Sequence, residues 1–191
     1  MLMAFAAVCG LWWIGGLADS PGMLRALAVP AALLGLATAG YSAFLFAQCE
    51  GRDLWQTPLL LPTLLARSVV AGGAAYVVMD LVMDVPDAAA MRWALLGGVA
   101  AVAVLTWMET ASHGSRHVEL AVHSMVKGDH ASFFWTGVAV GLAAPAALLI
   151  IDRAADVGSP ALTAVAGVLA LIGMFFSETA FVRAGQSVPL S

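Results

Sequence analysis

The sequence predicts an all-α integral membrane protein, a bundle of about six transmembrane helices forming a single domain over residues 1–191. Three observations predict it. Hydrophobic residues make up 62% of the chain and charged residues only 10%, with a mean hydropathy of +0.94, so there is too little polar surface to cover a water-soluble globule. The apolar runs approach the roughly 20 residues that a helix needs to cross about 30 Å of hydrocarbon. The runs do not alternate polar with apolar, and lipid tolerates only helices or closed barrels, so strands are excluded. No length remains for a soluble domain, and no nucleic-acid partner is expected.

The helices follow in order from runs bounded by charge or by Pro and Gly. The first is placed near 2–17 and ends at ADSPG (18–22). The second, near 23–47, runs into a long connector, 48–62, where Glu50, Arg52 and Asp53 cluster beside Trp55. The third is placed near 63–83 and turns at DVPDAAA (84–90). The fourth, near 91–111, precedes the second long connector, 112–132. The fifth lies near 133–151, and DRAADVGS (152–159) leads to the last, near 160–182. Small residues such as Ala71 to Ala75, Gly97-Gly98 and Gly137…Gly141 allow close helix packing. No internal repeat is visible, which argues against an inverted-repeat transporter. Met1 opens directly into apolar sequence with neither a basic segment nor a clear cleavage site. The chain therefore reads as the later part of a larger membrane unit, its opening helices absent or supplied by another chain.

Six helices put both termini on one side, together with the two long connectors. Of the eight basic residues, Arg52, Arg67, Arg116, Lys127 and Arg183 fall on that side and Arg25, Arg92 and Arg153 on the other, which places the termini in the cytoplasm. Cys9 and Cys49 are far apart and form no CxxC, so neither zinc nor an iron–sulfur cluster is expected in this chain. All four histidines lie in or beside the connector 112–132, and none in mid-membrane, so no haem is expected either. Glu109, His113 and His117 at i, i+4, i+8 read in three ways: a metal face, a proton-handling surface, or the start of an amphipathic helix lying at the interface, which Val118, Leu120, Ala121, Val122 and Met125 favour.

Ionisable groups inside hydrocarbon are costly and become candidates for function. From the helical rise, Arg67, Glu109 and Glu178 lie roughly 9, 12 and 10 Å from the midplane, all toward the termini side. They form either a structural ion cluster, snorkelling groups, or a proton pathway continued by His113. On the other side Asp80 lies about 10 Å from the midplane with no cation in its own helix, and is the leading quinone-side or proton-release group; the alternative is a structural pair with, for example, Arg25 or Arg92. The loop around Arg52, Asp53 and Trp55 reads as a hairpin anchored in the aromatic belt. Alternatively, Arg52 or Asp53 locks it against HGSRH (113–117) or contacts a partner.

Three motifs in order resemble the NrfD/PsrC family of polysulfide-reductase-like membrane subunits. They are Tyr41-Ser42-Ala43-Phe44-Leu45 with Trp55 and Pro58 to Pro62; Gly128, Phe134-Trp135, Gly141 and Pro145; and Gly185-Gln186 with Pro189-Leu190-Ser191. The resemblance covers most of residues 35–191 and implies the later part of an eight-helix fold. It implies a membrane anchor that exchanges electrons between an iron–sulfur, ferredoxin-like partner and a quinone, menaquinone or ubiquinone. A separate catalytic subunit, of molybdenum or similar type, does the substrate chemistry. It also implies a multi-pass protein of the bacterial inner membrane, with quinone on the face carrying Asp80, Trp12 and Trp13; Tyr41 joins these as a quinone-site candidate. A scaffold without its own quinone site and a proton-coupled transporter are the alternatives, and copurification of quinone and an iron–sulfur subunit separates the three.

Overall fold

The computed structural model describes residues 1–111 and 114–189, and every regular element among them is helical. Helix α1 (Leu2–Leu17) and α2 (Pro21–Ala47) form an antiparallel pair. A 3-10 turn, Asp53–Gln56, leads to α3 (Leu60–Met79), which packs closely on α4 (Ala88–Ala111). Next come α5 (Arg116–Val126) and α6 (Ala131–Val138). A π-helical turn, Ala139–Ala143, joins α6 to α7 (Ala144–Ala154), and α8 (Pro160–Ser187) closes the chain.

Among the described residues, five segments are long and apolar enough to cross a membrane: α2, α3, α4, the continuous stretch Ala131–Ala154, and α8. Helix α1 is apolar but only 16 residues long, about 24 Å at the helical rise. It packs mainly on α2, and of its residues only Gly15 is buried. The bundle proper is therefore α3 to α8, with α8 in its middle and the α1–α2 pair on its flank.

Local chemistry sets the helix ends. Pro21 and Pro160 occupy first turns, where a missing N–H costs nothing. Ser159 and Ser115 cap α8 and α5 through their hydroxyls. Helix α3 starts at Leu60, three residues before the sequence boundary, because Pro62 fits its first turn. Asp19, Asp87 and Asp156 adopt left-handed backbone in the turns α1–α2, α3–α4 and α7–α8, a conformation that aspartate tolerates better than most residues. All three of those turns lie at one end of the bundle, called here the Arg92 end. Both long connectors and the end of α8 lie at the other, the Arg67 end.

Within the long connector, α5 turns Ala121 and Met125 inward onto a core with Leu54, Phe134 and Phe181. Helix α4 is described as far as Ala111, and after the extended Ser115 a new helix starts at Arg116. Glu109 and His117 thus belong to different helices and do not share the single face expected from their spacing. His113 lies outside the described residues.

In mid-bundle, Gly141 of the π-turn meets Gly173 of α8 so closely that a Cβ on either would overlap the other's backbone. Gly137 packs in the same way against Ser177. Pro145 supplies no N–H to the turn before it, consistent with the widened π geometry there.

Candidate functional site

Charge is gathered in two places. At the Arg92 end, Asp80 ends α3, Arg92 stands near the start of α4, and Asp152 lies in the last turn of α7. Arg92 Nη2 donates to Asp80 Oδ2 at 3.0 Å, and Arg92 Nη1 lies 3.8 Å from Asp152 Oδ2. Asp152 is buried, and its Oδ1 accepts the backbone N–H of Ser159 at 2.9 Å, tying the cluster to the start of α8. Two carboxylates face one guanidinium. Asp80 therefore has its cation after all, on the neighbouring helix rather than its own.

Arg92 also lines a cavity of about 160 Å³ with Trp93, Leu149, Asp152 and Arg153. Its Nε–H is buried without a hydrogen-bond partner, an unmet donor that costs free energy unless something accepts from it. The Arg153 guanidinium lies 5.7 Å from the centre of the Trp93 ring at the same opening. Leu96 belongs both to this cavity and to an apolar slot of about 540 Å³ between α4 and the α6–α7 stretch. Ala100, Ala103 and Ala146 leave the slot its width. A polar cavity and an apolar slot thus lie on either side of Leu96.

At the Arg67 end, Arg67 pairs with Glu178 of α8, and Glu109 of α4 is buried within reach of both charges. The structure brings together the three groups that the sequence placed at one depth. The void beside Arg67, at the Gly137–Gly141–Ser177 contact, measures about 10 Å³, room for one water at most. Between the two ends lies an apolar layer of Val70, Ala74, Val99, Val102, Leu149 and Ala170.

The remaining candidates lie apart from these clusters. Trp12 and Trp13 are exposed on α1, which does not pack on α3 or α4, and Tyr41 is exposed on α2 at the opposite end from Asp80. The Arg52 loop is an anchor. Arg52 Nη1 donates to the carbonyls of Gly185, Gln186 and Val188 at 2.9, 3.0 and 2.7 Å, closing off the end of α8. The Ser115 hydroxyl donates to Asp53, linking the loop to the cap of α5. Trp55 packs edge-on to Phe46 and covers Gly185, where a Cβ would overlap its indole. Among the described residues, no group of three His, Cys, Asp or Glu side chains is placed to hold a metal ion.

The sequence reading missed Asp152, which it assigned to a connector, and Arg153 beside it. The signal was present in the Asp152-to-Ser159 spacing across a turn that ends in a Ser-Pro helix start.

The family model described as polysulphide reductase, NrfD, matches residues 2–189. The chain belongs to the NrfD family. Members of the NrfD family are multi-pass membrane subunits of quinone-linked oxidoreductase complexes, and the match reaches back through α1, beyond the motifs that first suggested it. No curated protein and no solved structure matches this NrfD-family chain. The residues present fit a quinone: the cavity lined by Arg92 and Trp93 suits a polar ring, and the slot that shares Leu96 with it suits an isoprenoid tail.

Proposed function

We propose that this chain is the quinone-interacting membrane subunit of a respiratory oxidoreductase, with the quinone ring held at the Arg92 end. The observation that carries the reading is the Arg92 cavity, where the Asp80–Arg92–Asp152 cluster borders about 160 Å³ of space and Leu96 is shared with the neighbouring apolar slot. Arg92, Trp93 and Leu149 would hold the ring in the cavity they line, and Asp80 keeps the guanidinium in place. Asp152, the second carboxylate around one cation, is the group that takes up or returns a proton at Oδ2. A bound quinone, of the menaquinone or ubiquinone class, supplies two-electron, two-proton chemistry; the chain supplies position, donors and exclusion of water.

The partners follow from the family: an iron–sulfur subunit docks at the Arg92 end, and a catalytic subunit, of molybdenum or similar type, completes the complex. The membrane is a bacterial inner membrane, with the termini cytoplasmic. Five of the eight basic residues at the Arg67 end support that orientation. The Arg67–Glu109–Glu178 cluster exchanges protons only with its own end, because the apolar layer at Val99 and Val102 separates it from Arg92.

Arg92→Lys tests the reading. Lysine keeps a cation for Asp80 and Asp152 but removes Nε and the planar fork. The complex is expected to assemble, with quinone-dependent turnover per complex reduced at least about tenfold, equivalent to roughly 1.4 kcal/mol of barrier. Unchanged turnover and unchanged KM for quinone would remove Arg92 from the site. Partners that copurify without quinone would favour a scaffold role instead.

A further inference from the structure

A third opening lies at the Arg67 end, between the end of α4 and helix α5. It measures about 620 Å³, and α5 lines it with Glu119, Val122, His123, Val126 and Lys127. These positions fall at i, i+3, i+4, i+7 and i+8, one continuous helical face. The face has two rows: Glu119, His123 and Lys127 follow one another at one-turn spacing, with Val122 and Val126 beside them. Trp107 and Thr110 form the opposite wall.

Trp107, Thr110 and Val126 also line the apolar slot, so the opening and the slot are continuous. Trp135 Nε1 donates to the Val126 carbonyl at 3.0 Å and fixes the corner where α5 meets α6. Along α4, about 21 Å separate Thr110 from Leu96 at the helical rise. A chain entering here meets the slot from the end opposite the Arg92 cavity.

We propose that this opening binds a zwitterionic aminophospholipid of the phosphatidylethanolamine type. Its phosphate lies against Lys127 and His123, its ammonium against Glu119, and one acyl chain follows the valine row into the slot. The charge order argues for this occupant. A carboxylate and an ammonium two turns apart, with an imidazole between them, match a headgroup that carries both signs. An anionic headgroup would meet Glu119 unfavourably. A choline headgroup carries its charge inside three methyl groups and cannot donate to Glu119, so it forfeits the charge-assisted hydrogen bond. The opening sits at the junction of a membrane-spanning helix and an amphipathic one, the level at which lipid headgroups lie. The acyl chain takes the Trp107–Val126 end of the slot and leaves the Leu96 end free, so the inference does not depend on what occupies the Arg92 cavity.

The test is native mass spectrometry of the full chain in detergent, with dioleoyl-phosphatidylethanolamine, -phosphatidylcholine and -phosphatidylglycerol added singly at equal concentration. The ethanolamine lipid is expected to bind about fivefold more tightly than either of the others, the worth of one exposed ion pair. In Glu119→Gln its advantage over the glycerol lipid is expected to vanish. In Lys127→Gln all three lipids, each of which carries a phosphate, are expected to weaken by a similar factor. Equal binding of ethanolamine and choline lipids by the unaltered chain overturns the proposal, as does tighter binding of the glycerol lipid. An unchanged ranking in Glu119→Gln also overturns it. Both substituted residues are solvent-exposed, and the ranking in the unaltered chain decides even where a variant fails to fold.

Discussion

At the Arg92 end one guanidinium faces Asp80 and Asp152; at the Arg67 end one guanidinium faces Glu178, with Glu109 buried beside them. Each cluster draws on three helices, and each includes α3 and α4. They differ in the space next to them. Arg92 borders a cavity of about 160 Å³, whereas the void beside Arg67 is about 10 Å³. The cause is backbone packing. Near Arg67, Gly137, Gly141 and Gly173 let α8 and the π-turn close to contact, which squeezes out any ligand-sized space. Near Arg92, the α7–α8 turn stands off from the start of α4, leaving room lined by Trp93 and Arg153. Like charge sets therefore border an open cavity at one end and a closed helix contact at the other.

The comparison breaks most sharply at Arg67. Replacing it by alanine leaves Glu109 and Glu178 without their cation inside the bundle, an expected loss of about 3 kcal/mol. Thermal unfolding in detergent measures it, and turnover per folded molecule should be preserved, unlike in Arg92→Lys. If turnover per folded molecule falls as far as in Arg92→Lys, the two clusters share one role and the contrast fails.

Arg52→Ala probes the Arg67 end outside the cluster. Three carbonyls at the end of α8 lose a charged donor, and an expected cost of about 2 kcal/mol should appear as a lowered unfolding midpoint. A midpoint equal to that of the unaltered chain would show that the loop does not brace α8.

The smallest effect is expected from Glu178→Gln. The Glu178 side chain is 38% exposed, so water screens its pair with Arg67 and the expected loss stays below about 1 kcal/mol. The same unfolding assay applies, and a loss as large as that of Arg67→Ala would mean that Glu178, rather than Glu109, is the carboxylate that needs the cation.

The sequence by itself determined the class of the molecule, because membrane-spanning helices satisfy their backbone internally and announce themselves as long apolar runs. It also determined the depth of its charges, since helical rise converts residue number into height, and Arg67, Glu109 and Glu178 could be grouped from height alone. It located the family motifs in order. Height does not say which way a side chain points around the helix, nor which helices are neighbours. Arg25 and Arg92 were thus equal candidates to pair with Asp80 until α4 brought Arg92 beside it, and of Arg52 and Asp53 it is Asp53 that ties the loop to Ser115, while Arg52 reaches the last carbonyls of α8. The cavity was invisible for the same reason: it is the gap left where packed helices diverge. Only the tertiary arrangement decides where glycines close such a gap and where a turn holds it open.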